Sequence, residues 1–148
     1  MEIKRILWPT DLSKKAAEAL PYVTSLSEKF QAEIHLVYVV EEIGHFGAWY
    51  GEFDRSHIDQ MQEMEKKMAE EQLNQICENH LEGCPLYIRH IAIGDPASEI
   101  LKRIESEKAD VVVMACQGRK GRFGFGSVAE KVVKHSPVAV LTVPVKQS

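Results

Sequence analysis

The sequence lacks most of the features that mark secreted and membrane proteins. It contains only three cysteines, Cys77, Cys84 and Cys116, and their odd number and spacing argue against a disulfide framework and a cysteine zinc site. No apolar run approaches the roughly 20 residues needed to span a bilayer. The first residues, Met1-Glu2-Ile3-Lys4-Arg5, do not form a signal peptide. We therefore expect a cytoplasmic protein with no membrane partner.

Basic charge is also scarce. The chain has 18 lysines and arginines against 22 aspartates and glutamates, a formal net charge of −4, so nucleic acid is not an expected partner. Six histidines are present, but they show no metal-ligand spacing. No Ser-His-Asp or Cys-His order indicates nucleophilic catalysis. We expect no metal site and no catalytic residues of these kinds.

The chain does contain a regular alternation of short apolar runs and amphipathic segments. The apolar runs predict strands at Ile3–Thr10, Ala32–Val40, Leu86–Ile93, Val111–Ala115 and Val138–Val143. The amphipathic segments predict helices at Lys14–Phe30, Arg55–His80, Pro96 to about Lys108, and about Val128–His135. For the third of these, Gly94 is the predicted turn glycine, Asp95 the N-cap and Pro96 the first helical residue. Strands that alternate with helices predict a single α/β domain over residues 1–148, with a doubly wound parallel sheet. In such sheets, ligands bind beyond the carboxyl ends of the strands.

Three local patterns have two interpretations each. Apolar residues recur on one side of the long helix, and we interpret them as core, with an adaptable methionine surface for a partner as the alternative; they are Ile58, Met61, Met64, Met68, Leu73, Ile76 and Cys77. Arg89 and His90 lie in a strand with partial alternation, which is typical of a sheet edge; an exposed strand face explains them better than catalysis. The aromatic segment His45–Phe53 is either a lid or partner surface, or a loop that packs onto the adjacent helix, which we favour.

A glycine-rich basic loop follows the apolar run Val111–Ala115. It combines four glycines with three basic residues: Gly118, Gly121, Gly124, Gly126, Arg119, Lys120 and Arg122. Ser127 is a predicted N-cap for a helix that begins at Val128. Glycines allow backbone N–H groups to converge, and a helix N-terminus adds partial positive charge, so the loop is a candidate phosphate site. A solvated, flexible loop is the alternative.

Several of these motifs, in order, resemble the universal stress protein family over essentially the full chain. The matching segments are Ile6–Ser13, Gly94–Ala97, Asp110–Met114, Gly126–Val133 and Ser136–Leu141. The resemblance implies a Rossmann-like sheet, similar to adenine nucleotide alpha hydrolases, with helices on both faces and strand order 3-2-1-4-5. It also implies a homodimer that pairs through the last strand, Val138–Val143. Many family members bind ATP, so an adenine nucleotide, ATP or AMP, with or without Mg²⁺, is the implied ligand.

The family's nucleotide motif is altered here. Ala115 stands at the first glycine position, Gly118 at the second, and seven residues separate Gly118 from Gly126 where the family has nine. The resemblance implies that Asp11 contacts ribose or adenine, that the Val39 backbone reads adenine, and that loop and helix amides hold phosphates. The implied site comprises Pro9, Thr10, Asp11, Val39, Met114, Ala115, Gly118, Arg119, Gly126, Ser127, Val128 and Ala129.

Each implied site residue also has a structural interpretation. Asp11 and Ser127 are candidate helix caps, Val39 is candidate core, and the basic residues are candidate solvated side chains. Two functions therefore stay open. The first is a regulatory nucleotide-binding protein of a stress response, with at most slow ATP hydrolysis because no base is placed to position water. The second is a nucleotide-free dimer that engages an unknown protein partner through the aromatic loop or the last strand.

Overall fold

The computed structural model describes residues 1–41, 55–80, 87–116 and 126–145. The strands are β1 (Arg5–Pro9), β2 (Glu33–Glu41), β3 (Tyr87–Gly94), β4 (Val111–Ala115) and β5 (Ala139–Val143). The helices are α1 (Leu20–Phe30), α2 (Arg55–His80), α3 (Pro96–Ser106) and α4 (Ser127–His135), and a 3₁₀ turn (Ala16–Ala19) precedes α1. Apart from the start of α1, these bounds lie within a residue or two of the prediction, which is the usual uncertainty of element ends. The segment His45–Phe53 and residues 117–125 of the glycine-rich loop lie outside the described residues.

All five strands are parallel, in the order β3-β2-β1-β4-β5, as predicted. One core lies between the sheet and α1 with α2, and it includes Trp8, Val23 and Leu73. The other lies between the sheet and α3 with α4, and it includes Leu7, Ile100 and Val132. Because successive side chains of a strand point to opposite faces, neighbours such as Leu7 and Trp8 belong to different cores. Within the described residues, no helix has the length and apolar character that a membrane span requires.

Asp110 joins the start of the central strand to its neighbour. Its Oδ2 accepts hydrogen bonds from the backbone N–H groups of Lys4 (2.8 Å) and Arg5 (2.9 Å). Its own N–H donates to the Arg5 carbonyl at 2.9 Å. These bonds set the register in which Ile6 lies opposite Val111.

The turn from β3 into α3 is built as the sequence predicts. Gly94 has φ 152°, and a Cβ at this position would lie 2.8 Å from Oε1 of Glu99, so only glycine fits without a shift. Asp95 is the N-cap and accepts from the N–H (3.1 Å) and the hydroxyl (2.9 Å) of Ser98. Pro96 occupies the first turn, where its missing N–H costs nothing.

The first helix is shorter than predicted. The interval Lys14–Phe30 contains a 3₁₀ turn at Ala16–Ala19, and the α-helix begins only at Leu20. Pro21 explains the difference, because its ring would clash with the Ala17 carbonyl in a continuous α-helix.

The methionine stripe of α2 is not core, which corrects the prediction. Met61, Met64 and Met68 are 57%, 65% and 58% exposed, whereas Ala69 and Leu73 are buried against the sheet. Successive residues lie about 100° apart around an α-helix, so a side chain next to Ala69 points well away from its contact line. Helical periodicity predicts the buried side correctly at Leu73 and Ile76, which pack into the core, but wrongly at the three methionines.

We predict that Asp110→Ala lowers the free energy of unfolding by about 1–3 kcal/mol, because two N–H groups lose a charged acceptor. Urea unfolding followed by circular dichroism measures the change. Asp110→Asn, which keeps one acceptor oxygen, should lose less. An alanine variant as stable as the wild type would contradict this role.

Candidate functional site

The central strand β1 ends early on the side that faces β4. The backbone N–H of Thr10 donates to the Val37 carbonyl of β2 at 2.9 Å. Backbone groups of successive residues face opposite sides of a strand, so the backbone of Thr10 faces β2 and that of Pro9 faces β4. Pro9 has no N–H, and the β1–β4 register stops at Leu7↔Val112. β1 and β4 are therefore unpaired at their carboxyl ends, and we refer to the region between these ends as the crevice. The strand order reverses there, which is where ligands of such sheets bind.

The Val39 backbone points to the same region from β2. The Val37 carbonyl faces β1, and in a parallel strand the residue two positions on presents its N–H and C=O to the same side. The β1–β2 register ends at Pro9↔Val37, so no β1 residue is paired with Val39. The side chain of Val39 packs against the core under α3 and α4. The side chain of Val39 therefore belongs to the core, while its backbone N–H and C=O lie at the carboxyl ends of the strands as a hydrogen-bond donor and acceptor.

A strained turn follows β1. The Thr10 hydroxyl accepts from the Leu12 N–H at 3.0 Å, and Asp11 Oδ1 accepts from the Ser13 N–H at 2.9 Å. Ser13 Oγ accepts in turn from the Ala16 N–H at 3.1 Å. Leu12 has φ 64°, a left-handed conformation that costs a leucine about 1–2 kcal/mol. Side-chain bonds thus hold Asp11 at the mouth of the crevice, in a backbone geometry of the kind that concentrates at binding sites.

The end of β4 forms the base of the glycine-rich loop. The Cys116 N–H donates to the Val143 carbonyl (3.0 Å), and the Gly126 N–H donates to the Cys116 carbonyl (2.6 Å). The two residues that flank the loop, Cys116 and Gly126, are therefore hydrogen-bonded to each other. Ala115 is buried in β4 and its φ is not positive, so its methyl group causes no backbone strain. Gly118 and the other residues of 117–125, including Arg119, lie outside the described residues.

The start of α4 differs from the prediction. The helix begins at Ser127, not Val128, and Gly126 occupies the N-cap position with φ −66° and ψ 152°. Ser127 therefore already belongs to the first turn, too far along to cap its own helix. Within the described part of the chain, no side chain caps α4. Its first N–H groups, those of Ser127, Val128 and Ala129, face the carboxyl edge of the sheet with the positive end of the helix dipole.

The structure thus brings most of the predicted site residues to one edge of the sheet. Pro9, Thr10 and Asp11 come from β1 and its turn, Val39 from β2, and Ala115 with Gly126, Ser127, Val128 and Ala129 from the β4–α4 connection. Met114 is different, because its side chain is buried in the core under α3 and α4. It supports this edge through packing.

A second polar cluster lies nearer the amino ends of β2 and β3, and sequence spacing did not reveal it. His35, His90 and Glu107 bring three potential metal-ligand atoms within 4.8 Å of one another. Sequence spacing missed the cluster because His35 and His90 are 55 residues apart. The sequence contained one indication of this cluster, because both histidines lie on predicted strands that the expected strand order makes neighbours.

Comparisons with known proteins give one consistent result. Residues 2–144 match the model of the family described as the universal stress protein family. Universal stress protein MJ0531 of Methanocaldococcus jannaschii is 35% identical, over 97% of this chain and 85% of its own. The solved structure of protein MJ0577 has a TM-score of 0.87 at 28% identity, covering 100% of both chains. A universal stress protein from Arabidopsis thaliana, solved with AMP bound, shares the fold: TM-score 0.69, 17% identity, 97% of this chain and 92% of its own.

We predict that Thr10→Val speeds hydrogen exchange at the Leu12 amide by roughly fivefold to tenfold, because the valine keeps the shape and removes the acceptor. Amide exchange followed by NMR provides the measurement. Thr10→Ser, which keeps the oxygen and removes the methyl group, should leave the Leu12 amide protected. Equal exchange in the wild type and the valine variant would show that the hydroxyl does not hold the turn.

Proposed function

The chain belongs to the universal stress protein family, and on that premise we propose that it binds an adenine nucleotide, ATP or AMP, as a regulatory ligand in a cytoplasmic stress response. The observation that carries the proposal is the crevice between β1 and β4. Three kinds of recognition group border it: the Val39 backbone, the Asp11 carboxylate and the uncapped N-terminus of α4. These groups match the base, the sugar and the phosphates of one ligand.

Adenine is the base that the Val39 backbone fits. The adenine edge presents an N6 amino donor beside a ring-nitrogen acceptor. The Val39 C=O and N–H supply the complementary acceptor and donor, on the side of β2 where β1 has ended. Pro9 and Thr10 form the adjoining wall, and Asp11 at the turn is in position to accept from a ribose hydroxyl.

Phosphates fit the start of α4. The N–H groups of Ser127, Val128 and Ala129 and the helix dipole favour negative charge. We place the Gly118 and Arg119 amides in the same cradle, because the loop begins and ends beside Cys116 and Gly126. The Arg119 guanidinium or Mg²⁺ would neutralise phosphate charge.

Ala115 is compatible with this site. A glycine would be required if the position needed positive φ, and Ala115 lies in a regular strand without it. We propose binding with at most slow hydrolysis, because Asp11, the one carboxylate among the described residues assigned to this site, is assigned to the ribose, and no base is placed beside the phosphates to position water.

We further propose that the protein is a homodimer that pairs through Val138–Val143. Within the described residues, strand β5 is at the sheet edge and pairs only with β4. Leu141 of this strand is 39% exposed, and Val133 of the preceding helix is 44% exposed. An edge strand with exposed apolar side chains is a template for pairing with a second copy.

We predict that Ser127→Pro weakens binding of ATP or AMP by roughly 10- to 100-fold, because it deletes a backbone N–H that bonds a charged phosphate. Proline suits the first helical position, and Gly126 already has the φ and ψ of a residue before proline, so the fold should persist. Calorimetric titration with and without Mg²⁺ gives the affinities. Ser127→Ala keeps the N–H and should lose less.

Two results would contradict the nucleotide proposal. The absence of binding up to millimolar ATP or AMP would reject it and favour the second function, a nucleotide-free dimer that engages a protein partner; the exposed face of β5 supports that alternative. Unchanged affinity in a folded Ser127→Pro variant would show that the N-terminus of α4 does not bind the phosphates.

We predict that Leu141→Glu converts the dimer to a monomer, because pairing would bury carboxylates against the partner strand. Sedimentation velocity reports the mass. Ile88→Glu is the matched control, since Ile88 is similarly exposed (44%) on the opposite edge strand, β3, and this variant should remain dimeric. A monomeric wild type would contradict the dimer.

A further inference from the structure

Two histidines and a glutamate meet beneath α3, away from the candidate nucleotide site. Nδ1 of His35 lies 3.0 Å from Nε2 of His90 and 3.8 Å from Oε2 of Glu107. His35 is only 2% exposed, and the other two residues are partly buried. Imidazole nitrogens and carboxylate oxygens are the donors that zinc prefers when cysteine is absent.

The sheet register creates this cluster. Val37 of β2 pairs with His90 of β3, so His35, two positions earlier on β2, lies on the same face as His90. The end of α3 covers that face, and Glu107 is its C-cap residue. All three side chains therefore project from rigid elements, which a preformed ligand set requires.

The surroundings of His35 resemble those of a metal ligand. Its Nε2 donates to Oε2 of Glu33 at 3.1 Å, and Glu33 is itself paired with Nε of Arg5 at 3.5 Å. With the proton on Nε2, as this hydrogen-bond network assigns it, the lone pair on Nδ1 faces His90 and Glu107. Metal-bound histidines commonly donate their second N–H to a carboxylate in this way.

The second imidazole also favours the neutral form that binds metals. Burial lowers the pKa of His90 below its ordinary value, and the positive charge of Arg103 and the ring of His35 lower it further; only Glu107 opposes them. The Nε2 nitrogen of His90, which faces Nδ1 of His35 at 3.0 Å, is the ring nitrogen placed to bind an ion between the two rings.

We propose that His35 Nδ1, His90 Nε2 and a Glu107 carboxylate oxygen bind one Zn²⁺ ion, with water as the fourth ligand. In a tetrahedral site with bonds of about 2.0–2.2 Å, ligand atoms lie about 3.3–3.6 Å apart. The His35–His90 and His35–Glu107 separations of 3.0 Å and 3.8 Å bracket that range. Glu107 Oε1 lies 3.9 Å from the other ring nitrogen of His90, Nδ1, so rotation of the Glu107 and His90 side chains is needed to complete the site. The ion joins α3 to the β2–β3 edge of the sheet.

Arg103 is the competitor of the metal. Its Nη1 lies 3.2 Å from Nδ1 of His90 and 3.6 Å from Oε1 of Glu107. When Nε2 of His90 binds the ion, the neutral ring carries its proton on Nδ1. A protonated Nδ1 cannot accept a hydrogen bond from Arg103. The guanidinium must move toward solvent, which its partly exposed side chain allows. Zinc and the Arg103 contact therefore exclude each other.

The test is metal titration of the tag-free, chelator-treated protein. Calorimetry with Zn²⁺ and absorption spectroscopy with Co²⁺ should show one ion per chain with tetrahedral cobalt bands. We predict that His90→Phe and Glu107→Gln abolish stoichiometric binding, and that Glu33→Gln weakens it by about 10–100-fold. Arg103→Gln should tighten binding, a gain that a purely structural ion pair does not predict. His135→Phe, which removes an exposed histidine of α4, should leave binding unchanged.

Several results would overturn the proposal. The proposal is wrong if the wild-type protein binds neither ion or if the cobalt spectra are octahedral. It is also wrong if a folded Glu107→Gln variant binds zinc as tightly as the wild type. Unchanged or weaker binding in Arg103→Gln would also overturn it. Circular dichroism of each metal-free variant verifies folding, and the partly exposed Glu107 provides a test if His90→Phe does not fold. Because these measurements contain no nucleotide, their failure would leave the proposed nucleotide function standing.

Discussion

The missing N–H of Pro9 is the constraint on which the candidate site depends. β1 is the central strand, paired with β2 on one side and β4 on the other. The proline faces β4 and cannot extend the ladder, so the two strands separate at their carboxyl ends. On one side of β1, the Val39 backbone is unpaired because the β1–β2 register ends at Pro9↔Val37, and on the other side α4 starts after β4. The strained turn after Pro9 then places Asp11 between them.

Strand β2 contributes to both proposed sites, which have opposite chemical preferences. At its carboxyl end, backbone N–H groups and a helix dipole favour an anionic ligand. Toward its amino end, His35 belongs to a set of imidazole and carboxylate donors suited to a cation. The antiparallel course of α3 explains the separation, because its start lies at one edge of the sheet and Glu107 at the other.

The differences between prediction and structure share one cause, which is that local patterns do not specify neighbours. The periodicity of α2 predicts a helix, but whether Met68 or Ala69 contacts the sheet depends on how α2 lies on β2 and β3. The sequence predicts the Ser127 hydroxyl as a cap, yet α4 starts one residue earlier and Ser127 lies within its first turn. Pro21 is an exception, since its effect on the first helix could have been deduced from the sequence alone.

Periodicity, proline chemistry and caps such as Asp95 are local features, so the elements, their parallel pairing and the end of β1 are predictable from the chain alone. The strand order and the proposed nucleotide site came from resemblance to a family. The conformation of Ala115, the exposed face of α2 and the contact between His35 and His90 became apparent in the folded molecule. These depend on the register between segments distant in the chain, and no local pattern of residues encodes that register.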